Sequence, residues 1–145
     1  MDAEKGVQPK RQSRIPKASH PSIDDSPLHF SFKHIDLDSN TKFKFCDCPT
    51  EFLYAFFSEI KRMSSWSVAE FCEFDQGRHS HFINFDETTE PDGFPSLGEQ
   101  LDPEVFWQFS IDHKKPWRVH GFFLDSTFFI VWLDPQHRLD SKSKA

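Results

Sequence analysis

The stretch RVHGFFLDSTFFIVWLDPQHR, residues 118–138, decides how the chain is read. Val119, Gly121 and Phe123 alternate with Arg118, His120 and Phe122, the two-residue period of a β-strand. Asp125-Ser126 supplies a tight turn. The apolar run from Thr127 to Leu133 suits a central strand, which Asp134-Pro135 ends. Two strands joined this way pair antiparallel, so Arg118 is expected close to the segment Asp134 to His137.

Working back from that hairpin, Val105, Trp107 and Phe109 alternate on a further strand, giving a three-stranded C-terminal meander. Residues 76–101 read as a long loop. Gly77, Pro91, Asp92-Gly93, Pro95 and Gly98 punctuate it, around a short apolar stretch Phe82-Ile83-Asn84-Phe85. A loop of that length in a small domain is either functional or in part an ordered element that reads as loop. Before it, Phe52, Leu53, Phe56, Phe57, Ile60 and Met63 recur at helical spacing. Pro49 is expected at the first helical position, and Lys61 and Arg62 complement the dipole at the far end. Ser67-Val68-Ala69-Glu70 is a capping box that opens a second, short helix ahead of Phe71. Leu28, Phe30 and Phe32 alternate with polar neighbours. Phe43 and Phe45 do the same after turn residues 36–40, suggesting a hairpin-like pair of N-terminal strands. The fold class is therefore α+β: N-terminal strands and two helices packed on a mainly antiparallel sheet that ends in a β-hairpin.

The 145 residues suit one domain, assigned to residues 27–140, with a short disordered C-terminus at 141–145. Eighteen Phe and four Trp are enough for a small core, because each buried aromatic removes about 150–250 Å² from water. Residues 1–26 are polar, contain Pro16 and Pro21 with Pro27 just beyond, and offer almost nothing to bury. They read as a disordered basic tail. Lys5, Lys10, Arg11, Arg14 and Lys17 against Asp2 and Glu4 give residues 1–19 a charge of +3, which leaves −9 on the rest of a chain whose net charge is −6. That balance excludes a strongly basic nucleic-acid-binding body. The tail is free to touch phosphates or an acidic partner. No run approaches the ~18 apolar residues of a membrane helix, and no apolar stretch follows the N-terminal residues, so a cytoplasmic location is expected.

Cys46, Cys48 and Cys72 form no disulfide framework or zinc knuckle and read as buried small hydrophobes. His79-x-His81 with His120 or His137 has ligand types suited to a metal but no recognised spacing, so no metal or other cofactor is expected. There is no phosphate-binding glycine loop, nucleophile elbow or Ser/His/Asp motif.

What remains is a cluster of His, Arg and Lys at one sheet edge. It combines Arg118, His120, His137 and Arg138 with Arg78, His79 and His81 from the loop and His113, Lys114 and Lys115 from the approach to the hairpin. Such a group can cleave RNA without a metal. A histidine moves the 2′-hydroxyl proton, and arginine stabilises charge on the phosphorane. The same residues also have a purely structural reading. His120 is then a half-exposed strand residue, His137 and Arg138 solvate a terminus, and Arg118 pairs with Asp134 or Asp112.

The order strand, helix, helix, meander, together with Arg118-Val119-His120-Gly121-Phe122-Phe123 and the ending Phe128 to Arg138, resembles the RelE/ParE toxin superfamily. These are small endoribonucleases and relatives from bacterial toxin–antitoxin systems. The resemblance spans about residues 42–139, and some twenty C-terminal positions carry its specificity. It implies that Arg118 binds or stabilises the scissile phosphate, that His137 is the general acid or base with His120 beside it, and that Arg138 contacts RNA. Arg78, His79 and His81, with Lys114 and Lys115, would contribute to RNA binding. The expectation is a toxin-like, metal-independent endoribonuclease with RNA or the ribosome as target and an antitoxin or other protein as partner, acting away from membranes. The alternative is a non-enzymatic protein-interaction module on the same scaffold, its abundant Phe serving an interface.

Overall fold

A computed structural model describes residues 25–73, 81–95, 106–112 and 114–140. The expected tail up to residue 24, the end at 141–145, Arg78, His79 and His113 lie outside the described residues. The elements are β1 (His29–Ser31), α1 (Thr50–Met63), α2 (Val68–Glu73), β2 (His81–Phe82), β3 (Phe106–Ser110), β4 (Arg118–Leu124) and β5 (Thr127–Asp134). Two single-turn helices, Phe45–Asp47 and Phe85–Glu87, stand in the connections. The sheet order is β1-β5-β4-β3-β2; every pairing is antiparallel except β1 with β5. The molecule is therefore mixed α+β, with the expected meander at its centre.

The hairpin between β4 and β5 turns at Asp125 and Ser126. Asp125 has φ 55°, a conformation that short polar side chains tolerate best among non-glycine residues. Beyond the turn the ladder breaks once. Gly121 pairs with Ile130 but His120 pairs with Trp132, so Val131 is an extra residue in β5. A bulge of this kind reverses the alternation of everything after it. Phe128 and Ile130 pack in the cluster beneath the helices, yet two steps later Trp132 packs in the opposite cluster and Leu133 takes the helix side. The carbonyl of Val131 accepts a hydrogen bond from the Asp36 amide at 2.9 Å, which ties the chain leaving β1 to the bulge.

The helices cover one sheet face. Phe52, Phe56, Ile60 and Met63 of α1 and Val68 and Phe71 of α2 meet Phe109, Val119, Phe123, Phe128, Ile130 and Leu133. The core stripe of α1 is narrower than its sequence pattern, because Leu53 is half-buried and Phe57 is 52% exposed. Pro49 stands one position before the helix rather than inside it. The capping box of α2 forms as expected: the Ser67 amide donates to Glu70 Oε1 at 2.8 Å, and the Glu70 amide donates to Ser67 Oγ at 3.1 Å.

Loops cover the other face, where the sequence reading needs correction. Phe43 and Phe45 are not in a second strand: β1 takes β5 as its neighbour, and Phe43 turns inward to stack on Trp132 at 4.6 Å. The described part of the 76–101 loop adds β2 to the sheet edge. It also lays Phe85 and Phe94 against Phe106, with Phe94 reaching Trp132 at 5.0 Å. Among the described residues, these aromatics bury the second face without an α-helix. The three cysteines are free thiols, and Cys48 and Cys72 are half-buried against the helix-side core, but Cys46 is exposed rather than buried. Among the described residues, no helix is long and apolar enough to cross a membrane.

Candidate functional site

Five polar or charged residues are buried among those described: Gln108, Ser110, Arg118, His120 and Asp134. Strand register brings all five together. One row across the sheet runs His81, Gln108, His120, Trp132; the next runs Ser110, Arg118, Asp134. Alternation puts Arg118, His120 and Phe122 on the loop-covered face, and the Val131 bulge brings Asp134 onto that face as well. An unbroken β5 would have turned Asp134 towards the helices.

Asp134 is fully buried and engaged three times. His120 Nε2 lies 2.8 Å from Asp134 Oδ2. The Arg138 amide donates to Oδ1 at 2.7 Å, and the Leu139 amide donates to Oδ2 at 3.0 Å. Burial by itself would raise the Asp134 carboxyl. The His120 hydrogen bond and charge, with the two amides, outweigh burial and hold it below the ordinary carboxylate range. An ionised carboxylate accepts only, so the proton in the His120 contact belongs on Nε2. Phe43 packs edge-on against the His120 ring at 6.1 Å.

Arg118 is 6% exposed. Its Nη1 donates to the carbonyls of Lys115 (2.9 Å) and Trp117 (3.2 Å) and to Ser110 Oγ (3.3 Å). It thus pins the turn at 114–117 to the end of the sheet. Lys114 and Lys115 are exposed on that turn, with Lys115 Nζ 4.9 Å from the Trp117 ring centroid. His137 follows β5 at φ 56°, a left-handed corner, and its Nε2 is 3.6 Å from Asp140 Oδ2. Burial, then the Arg118 charge, push the His137 pKa below its ordinary value against the opposing pull of Asp134 and Asp140. His137 is accordingly a neutral imidazole at neutral pH, with its side chain 18% exposed. Arg138, next to it, is exposed. Backbone pairing holds this corner from the outside: Thr89 donates its amide to the Leu139 carbonyl at 2.9 Å and its hydroxyl to the Arg138 carbonyl at 2.8 Å.

The expected residues therefore gather at one end of the sheet, at different depths. Arg118 and His120 are interior, and His120 is fully buried rather than half-exposed. His137, Arg138, Lys114 and Lys115 line the surface of the same end. His81 is in register with Gln108, on the His120 row. Among the described residues, no three His, Cys, Asp or Glu side chains are grouped as metal ligands would be. Cys48 is no nucleophile at neutral pH, since burial with Asp47 and Asp134 nearby pushes its thiol up to about 11. The sequence reading took Asp134 for a strand terminator or a partner of Arg118; the hydrogen bonds of Arg118 go instead to Ser110 and the carbonyls of Lys115 and Trp117, and Asp134 takes His120. The signal was present in Asp134-Pro135, a buried acceptor followed by a chain reversal whose amides need one. The chain matches no family model, and no curated protein or solved structure is detectably similar to it.

Proposed function

We propose that this domain is a toxin-like, metal-independent endoribonuclease of a bacterial toxin–antitoxin or phage-defence system, with its RNA site at the end of the sheet around His137. One observation carries this reading: a half-buried neutral histidine sits within the field of a buried arginine, beside the exposed cations Lys114, Lys115 and Arg138. A neutral imidazole can take the proton of a 2′-hydroxyl. The 2′-oxygen then bonds to the adjacent phosphorus and the bond from phosphorus to the 5′-oxygen breaks. A 2′,3′-cyclic phosphate remains, and the departing 5′-oxygen takes a proton from solvent. In this reading the exposed cations hold the RNA backbone. Burial, with the charge of Arg118, keeps His137 deprotonated, and that charge favours the developing negative charge. The likeness in element order to RelE/ParE toxins supports the same class by analogy.

The test is induced expression of wild type beside His137→Asn in a bacterial host, following growth and total RNA. Asparagine tolerates the left-handed corner and removes the base, so the fold is kept. Growth arrest with RNA loss in wild type alone is expected. Equal growth with intact RNA in both, or full toxicity in the variant, overturns the proposal.

One surface favours the second reading, an interaction module. Phe32 (42% exposed) and Phe57 (52%) lie 6.3 Å apart between ring centroids, and Tyr54 (76%) is three residues from Phe57 on the same helix. Residues three apart share a helix face, so these side chains form an aromatic surface beside edge strand β1. Under that reading, replacing all three by serine abolishes capture of a partner while His137→Asn leaves capture unchanged.

A further inference from the structure

The buried carboxylate of Asp134 meets both halves of the candidate site. Through Oδ2 it receives His120, and through Oδ1 and Oδ2 it receives the amides of Arg138 and Leu139, the two residues that follow His137. Backbone that leaves a strand in the left-handed region at a non-glycine residue needs compensating interactions, and these two amide bonds supply them. We infer that Asp134 is the positioning residue of the site: it fixes the His120 proton on Nε2 and holds the chain reversal that places His137 at the surface. The catalytic half of this inference rests on the nuclease reading; the structural half does not.

Two features set this role apart from ordinary strand-end packing. The Val131 bulge lies between Asp134 and the pairs from Gly121 to Leu124, so it changes the face of Asp134 and leaves those pairs undisturbed. Both carboxylate oxygens are also used, Oδ2 twice, so each partner constrains the other: moving the corner moves the imidazole. Neither Asp134 nor His120 touches solvent, so neither is assigned contact with RNA.

The experiment combines ring-nitrogen NMR of histidines, amide hydrogen exchange and RNA cleavage, on wild type and Asp134→Asn. In wild type, His120 should carry a proton on Nε2, and the Arg138 and Leu139 amides should exchange slowly. Asparagine can still accept from Arg138 through Oδ1. It presents an N–H where Oδ2 stood, so His120 must give up its Nε2 proton and the Leu139 amide loses its acceptor. Loss of the His120 Nε2 proton and faster exchange at Leu139, with β3 and β4 amides still protected, are the expected result. A wild-type His120 with no proton on Nε2, or fast exchange at Arg138 and Leu139, overturns the inference even if the variant does not fold. If wild type cleaves RNA, Asp134→Asn should lose about 10²–10⁴-fold in rate. Equal cleavage by a folded variant overturns the positioning role and leaves the nuclease reading standing. A wild type that does not cleave sinks the nuclease reading alone, and the NMR and exchange results then decide the rest.

Discussion

His137 combines a left-handed backbone with a depressed pKa, and each property makes a separate prediction. Asparagine at 137 should leave stability within about 0.5 kcal/mol of wild type. Valine, whose branched Cβ is poorly accommodated there, should cost about 1–2 kcal/mol in urea unfolding. Equal stability of the two variants would mean the corner is not held at positive φ in solution. The pH dependence has a definite sign. The folded pKa of His137 lies below its unfolded value of 6.5, so the unfolded chain binds the proton first. The stability contribution is complete above pH 6.5 and is lost as pH falls through the lower folded value. His34, shifted down by burial and by Lys33, adds to the same acid-side loss. His137→Asn should therefore flatten the stability curve below pH 6.5 in part, and a second substitution at His34 should flatten it further. Asp134, also depressed, gives a later loss as pH falls below the ordinary carboxylate range. Thermal unfolding midpoints across pH 7 to 3 check all three. A curve unchanged by either substitution would refute the assignment.

At the scale of elements, the bulge decides more than any helix does. A Cβ on Gly121 would collide with the Phe129 carbonyl oxygen and lie 2.8 Å from the Phe128 ring, so the pair opposite the bulge closes only over glycine. Gly121→Ala must push backbone rather than a flexible side chain. It is expected to cost about 3 kcal/mol or more, or to prevent folding, as read by circular dichroism and urea unfolding. An alanine variant as stable as wild type would show that the strands close differently. By contrast, Ser67→Ala removes one half of a reciprocal cap at an exposed helix start and should cost about 0.5–2 kcal/mol. Much of this scale was legible in sequence. The α1 stripe, the capping box and the β4 alternation each repeat a period over several residues, and the Asp125-Ser126 turn fixes the hairpin register. The bulge was not legible, because in the apolar run Phe128 to Leu133 both faces are hydrophobic and no polar residue marks the parity. Without the bulge, Asp134 could not be placed with His120. The parallel pairing of β1 with β5 was hidden for another reason: it joins residues nearly a hundred apart, and the nearer Phe43 and Phe45 offered a local alternation that packing overrides.

Over the whole molecule, the sheet is sealed on one side by amphipathic helices and on the other by aromatics from irregular chain, chiefly Phe43, Phe85 and Phe94. A segment rich in turn residues reads as surface loop, so nothing in the sequence announced that His120 lies under it. Of the candidate site, the gathering of Arg118, His120 and His137 at one sheet end was legible from hairpin register; their depths were not. Depth matters for how the protein could meet RNA. The residues beyond position 19 carry −9, so a polyanion is repelled by most of this body and attracted only where cations are concentrated. Lys114, Lys115 and Arg138 are exposed together at the His137 end. Three phosphate contacts imply that the logarithm of the binding constant for single-stranded RNA falls with the logarithm of salt at a slope of about −2, since each contact contributes about 0.7. Alanine at any one of the three should reduce the slope by about that amount, and His137→Asn should leave it unchanged because a neutral imidazole releases no counterion. Fluorescence anisotropy across a salt series measures both. A slope near zero would remove phosphate recognition and favour the aromatic surface of Phe32, Tyr54 and Phe57. A slope well beyond −2 would mean that the five cations among residues 1–19 also bind RNA, giving the basic segment a share in recognition that the acidic body cannot supply.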